Sequence, residues 1–139
     1  MNSLTHRALV LESRIENVDR AEAAAEEVAR AAGFDVDEQH HIAMAVREIT
    51  VNAITHGNQL DAAKKVHLDF SISPAGLIIE VRDEGRGFDA SKLPDPLAPD
   101  NLLRQSGRGI FLARAFMDEL DLKNLRHGLE VRMAKRKRR

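Results

Sequence analysis

Cysteine is absent from the 139 residues, and so are tryptophan and tyrosine. Without cysteine there is no disulfide framework, no thiolate metal site and no cysteine nucleophile, and the chain suits a reducing compartment. Without tryptophan and tyrosine, the chain is poorly equipped to stack on nucleic-acid bases. Long apolar runs are missing too. None approaches the roughly 20 residues of a membrane span. The opening MNSLTHRALV lacks the apolar core of a secretory signal. The expectation is a cytoplasmic protein with no membrane partner. A strong charge of one sign is also lacking, since the net charge is −1. The distribution is uneven: residues 135–139 (KRKRR) are all basic and the body before them is net acidic. Such an end can contact nucleic acid or serve as a solubilising tail. The reading adopted is a domain over residues 1–134 followed by a disordered basic tail over 135–139, with no direct nucleic-acid partner.

What is present fits one globular domain with a single core: 43% hydrophobic residues and 31% charged. Residues 5–12 (THRALVLE) read as a first strand. Asn17 or Asp19 offers an N-cap. Residues 20–32, rich in Ala, Glu and Arg, follow as a helix that Gly33 ends. Asp35 or Asp37 opens the next helix, which the pattern carries to Gly57. Residues 58–65 are polar and turn-like. Residues 66–73 alternate apolar and polar, the period of a half-buried strand. Pro74-Ala75-Gly76 is a hairpin signal, and residues 77–82 (LIIEVR) return. Residues 90–106 hold three prolines and little periodicity, which suits a functional lid or a surface insertion. A short helix is expected over 110–116, then strands over 120–125 and 129–133. Hairpin-joined strands with grouped helices indicate an α+β fold, a two-layer sandwich with a mixed, mostly antiparallel sheet covered on one face by helices.

Three stretches carry candidate chemistry. The first is HHIAMAVREITVNAITHGNQ, residues 40–59, read as one helix with Glu48, Asn52, Thr55 and His56 spaced at 4, 3 and 1. Spacings of three and four share a helical face. A carboxylate and a carboxamide on an otherwise apolar helix need partners, which a metal or nucleotide would supply; a solvated stripe with a cap at Gly57 is the alternative. The second is Asp83-Glu84-Gly85-Arg86-Gly87 at a strand end. Its fixed acid can accept a hydrogen bond from an exocyclic amine such as that of adenine, and its glycines admit a ligand close to the backbone. An ordinary turn also ends in Asp and Gly. The third is Gly107-Arg108-Gly109 before a helix. Free N–H groups there would face an anion, with Arg104 or Arg108 adding charge. A plain glycine N-cap is the alternative.

Together and in this order, the three resemble the GHKL ATP-binding superfamily. Within it the chain looks most like the bacterial anti-sigma-factor serine/threonine kinases. The matching stretches are residues 46–57 (VREITVNAITHG), 83–89 (DEGRGFD) and 106–120 (SGRGIFLARAFMDEL). The resemblance implies ATP and Mg2+ as cofactors, with Asn52 as the metal ligand and Glu48 as the general base. It implies that Asp83 binds the adenine amine and that Gly85 and Gly87 shape that site. Gly107 and Gly109 would wrap the phosphates, with Arg104 or Arg108 near them, and His56 would lie near the nucleotide. The implied partners are a sigma factor, a small anti-sigma-factor antagonist as phosphorylation substrate, and a second copy in a homodimer. Two positions depart from the family pattern: Gln105 stands where arginine is common, and Leu129 follows Gly128 where threonine is common. A module that binds and sequesters without catalysis is the rival reading. The catalytic half of a histidine kinase is a third, disfavoured because no phospho-acceptor helices are present.

Overall fold

The computed structural model describes residues 5–85 and 109–137. Strand β1 spans His6–Glu12 and leads through a 3-10 turn, Ile15–Asn17, into helix α1, Val18–Ala31. Helix α2 spans Val36–Asn52 and continues as a π turn, Ala53–Gly57. Strands β2 (Lys65–Ser73) and β3 (Gly76–Arg82) form a hairpin. Helix α3 is Gly109–Phe116, and β4 (Glu119–Leu125) and β5 (Gly128–Arg136) complete the sheet. The strand order is β1-β2-β3-β5-β4, and every pairing is antiparallel. The fold is thus the α+β two-layer arrangement expected. Among the described residues no helix is long and apolar enough to cross a membrane.

Alternation places Val66, Leu68 and Phe70 of β2, Ile79 and Val81 of β3, and Val131 and Met133 of β5 under the helices, all buried. Small residues let α1 approach closely: Ala21, Ala25 and Ala29 are fully enclosed. The helix ends at Gly33, whose φ of +92° suits glycine and lets Phe34 N–H donate back to Ala29 O at 3.1 Å. Of the two expected caps for α2, Asp35 is used. Its carboxylate accepts from Glu38 N at 2.8 Å, and Glu38 reaches back to Asp35 N, which makes a capping box. Asn17 flanks α1 but its side chain donates to Glu12 O instead of capping.

Helix α2 is central in its layer. Arg47 faces α1, where its Nη1 meets Asp19 and Glu22 at 3.2 and 3.5 Å. His41 faces α3 and stacks on Phe116, with ring centroids 4.7 Å apart and planes 2° from parallel.

Two expectations are corrected. The stretch 40–59 is not one helix. At Ala53 the backbone widens, and Asn58 N–H donates to Ala53 O, five residues back. The Thr55 hydroxyl, bonded to Val51 O at 2.7 Å, competes for a helical carbonyl there. Gln59 and Leu60 then lie at φ 53° and 60°, outside any helix. Nor does a disordered tail begin at Lys135. Lys135 and Arg136 pair with Leu77 and Gly76 in the sheet, and Lys135 Nζ donates to Phe116 O. Arg136 is exposed while the backbone of both residues completes β5.

Candidate nucleotide site

The site begins where β3 ends. Asp83 is 4% exposed. Its N–H donates to Leu129 O at 3.0 Å, continuing the ladder with β5. The return bond is different: Leu129 N–H donates to the Asp83 carboxylate, Oδ1, at 3.1 Å, and Gly85 N–H donates to the same oxygen at 2.9 Å. The side chain thereby replaces the main chain as acceptor and ends the strand. No donor among the described residues meets Oδ2. Burial pushes the Asp83 carboxyl above the ordinary aspartate range, opposed by the two backbone amides.

Three glycines close on this residue. A Cβ on Gly57 would lie 2.1 Å from Asp83 Oδ2, one on Gly128 would lie 2.0 Å from Asp83 O, and one on Gly85 would lie 2.0 Å from Gly57 O. Each contact forbids a side chain, so the end of α2, the end of β3 and the β4–β5 turn meet at backbone distance. The π turn makes this possible by carrying Gly57 past the point where an α-helix would have pointed it.

Glu48 and Asn52 lie on the stripe of α2 that also carries His41, the residue stacked on α3. Both are half-buried. Asn52 Nδ2 is enclosed and has no hydrogen-bond partner among the described residues. Glu48 makes no hydrogen bond or ion pair to another described residue. Thr55 is on the same stripe, but its hydroxyl is occupied by Val51 O. His56 is exposed. Gly109 is the first residue of α3. Gly87, Arg104, Gly107, Arg108 and the expected lid over 90–106 lie outside the described residues. Of the anticipated residues, the structure therefore brings Asp83, Gly85 and the end of α2 together, with Glu48 and Asn52 on the adjoining stripe.

Sequence reasoning missed Asn58, which it placed in a polar turn. Asn58 is fully buried. Its Oδ1 accepts from Glu84 N at 2.8 Å, and its Nδ2 donates to Ser13 Oγ at 2.8 Å and Lys65 O at 3.0 Å. The available signal was an asparagine directly after the glycine that ends a helix, a place where a carboxamide can satisfy loose backbone groups.

A cradle of this kind, with a buried acid offering one oxygen, suits a flat heterocycle bearing an amine. Comparison with known proteins gives the family. The family model described as the histidine kinase-like ATPase domain matches residues 11–135. The serine-protein kinase RsbW of Bacillus subtilis is 31% identical over 114 residues, covering 78% of this chain and 71% of its own length. The RsbW of Oceanobacillus iheyensis is 29% identical, covering 78% and 72%. An anti-sigma F factor of Clostridium perfringens is 34% identical over 89 residues, covering 63% and 64%. A crystal structure of the RsbU and RsbW domains of a Mycobacterium tuberculosis protein superposes with a TM-score of 0.69 at 18% identity; it covers 94% of this chain, which spans 32% of that longer one. The chain belongs to the histidine kinase-like ATPase family, in the branch that holds the RsbW serine-protein kinases and the anti-sigma F factors.

Proposed function

We propose that the chain binds Mg-ATP between α2 and the end of β3, and phosphorylates a serine or threonine of a small anti-sigma-factor antagonist. It sequesters a sigma factor once that antagonist is phosphorylated. The observation that carries the reading is the buried Asp83, whose Oδ1 is held by two backbone amides while Oδ2 has no donor among the described residues. That is an acceptor prepared for the exocyclic amine of adenine. The names of the relatives supply the kinase and anti-sigma classes.

Glu48 is the general base. It takes the proton of the attacking hydroxyl as the new O–P bond forms on the γ-phosphorus and the bond to the β-phosphate oxygen breaks, which releases ADP. Asn52 is the residue that would hold Mg2+. An amide oxygen suits this hard cation, which keeps several waters and phosphate oxygens around it. Asn52 Nδ2 is enclosed and meets no acceptor among the described residues, so this carboxamide has a donor left for a phosphate oxygen beside the amide oxygen that would take the ion. No cluster of three or more His, Cys, Asp or Glu that could cage a metal occurs among the described residues. When bound, the ion would neutralise charge on the phosphates. Gly107 and Gly109 with Arg104 or Arg108 are the proposed phosphate contacts, Gly85 and Gly87 shape the base site, and His56 lies at its margin. A homodimer and a cytoplasmic location complete the reading.

The test is transfer of labelled phosphate from ATP to a candidate antagonist. Glu48→Ala should lower the rate about 100-fold or more, with ATP affinity within a few fold of wild type. Equal transfer by the two proteins would remove Glu48 as the base. ATP binding by the wild type with no transfer to any antagonist would leave sequestration alone.

A further inference from the structure

We infer that Glu84 is a positioning residue for the base site, clamped by His67 from the face of the sheet that the helices leave uncovered. The inference rests on the nucleotide reading above. Glu84 follows Asp83 and is held at both ends. Its N–H donates to Asn58 Oδ1 at 2.8 Å. Its carboxylate spans two groups of β2: Oε1 accepts from Lys65 N at 3.1 Å, and Oε2 lies 2.7 Å from His67 Nε2.

Each tie leads back to the base site. The peptide after Glu84 carries the Gly85 N–H, one of the two donors to Asp83 Oδ1. Gly85 has no slack, since it rests against Gly57 O. Asn58 follows Gly57, which abuts Asp83 Oδ2. Fixing Glu84 therefore fixes the direction of the Gly85 amide, and with it the carboxylate that meets the base. The bond to His67 also holds the Glu84 carboxyl below its ordinary range. Two cationic groups lie beside the pair, Lys65 from the start of β2 and Arg82, the cross-strand neighbour of His67. The His67 and Glu84 side chains are 26% and 38% exposed. Truncating either leaves the core filled, so a change in ligand affinity can be separated from a failure to fold.

The experiment is a calorimetric titration of the full chain with Mg-ATP, alongside thermal unfolding of the nucleotide-free protein and ATP-dependence of phosphate transfer. Glu84→Ala should weaken ATP binding about tenfold, the scale of one lost hydrogen bond to a charged acceptor. It should raise KM for ATP by a similar factor with kcat little changed. His67→Ala should weaken binding about threefold or more, and the double variant should bind no worse than Glu84→Ala, because the two act through one contact. Asp83→Asn is the control. If wild type binds ATP, Asp83→Asn does not, and Glu84→Ala binds within twofold of wild type, the positioning inference is overturned and the nucleotide reading stands. A lowered unfolding midpoint with unchanged ATP affinity overturns it equally, since that is a structural role only. Wild-type protein that binds no ATP overturns the nucleotide reading first.

Discussion

Asp83 carries an energetic cost that its partners only partly offset. Its carboxyl is raised by burial, so the folded state binds the proton more tightly than the unfolded chain does. The ionised form then costs stability at neutral pH, and that cost is relieved as pH falls toward the raised folded value. Asparagine at this position keeps an oxygen for the Gly85 and Leu129 amides but carries no charge. Asp83→Asn should therefore unfold at a temperature equal to or above wild type at pH 7, with the difference shrinking at lower pH, while ATP binding falls at least about 100-fold. A midpoint several degrees lower at pH 7 would contradict the burial argument. A sequence shows the acid and the glycines after it; it does not show that one oxygen is consumed by the acid's own strand partner.

The element that decides the site is the end of α2. Its apolar spacing was legible, and so was the strand alternation of β2, where Val66, Leu68 and Phe70 are buried as read. The switch of hydrogen-bond partner at Ala53 was not. An i to i+5 bond leaves no periodic trace over five residues, and the competing Thr55 hydroxyl resembles any other helical threonine. The consequence at Gly57 was hidden with it, because the need for glycine comes from a strand 26 positions away in sequence. Gly57→Ala should cost about 1–3 kcal/mol of stability by overpacking. It should also weaken ATP binding more than that loss explains, because the methyl group displaces Asp83 itself. Denaturant unfolding with and without ATP would separate the two effects; unchanged affinity in a folded variant would show that the π turn has room to yield. Gly87, Gly107 and Gly109 read from sequence as glycines open to a ligand or an anion, with Arg104 or Arg108 adding charge, and the resemblance narrowed that to base site and phosphates.

Among the described residues the molecule is a sheet with helices on one face, and its last strand runs into the basic run at Lys135 and Arg136. Composition suggested a tail from residue 135 because five successive cations look solvated; backbone pairing of Lys135 and Arg136 is independent of what their side chains carry. Truncation after Ala134 would remove the pairings to Leu77 and Gly76, the Lys137 N–H bond to Ala75 O at 2.8 Å and the Lys135 bond to Phe116. Stability should fall by about 1–3 kcal/mol, read as a lower denaturation midpoint, and an unchanged midpoint would restore the tail reading. The strand order has a further effect on motion. Asp83 ends β3, the central strand, flanked by β2 and β5. Amides of Ile79, Val81 and Asp83 should exchange with deuterium only when the whole domain opens, whereas those of the edge strands β1 and β4 exchange through local fraying. A floor that slow cannot gate ligand exchange: under the proposed reading, a nucleotide would come and go over a base site that stays in place.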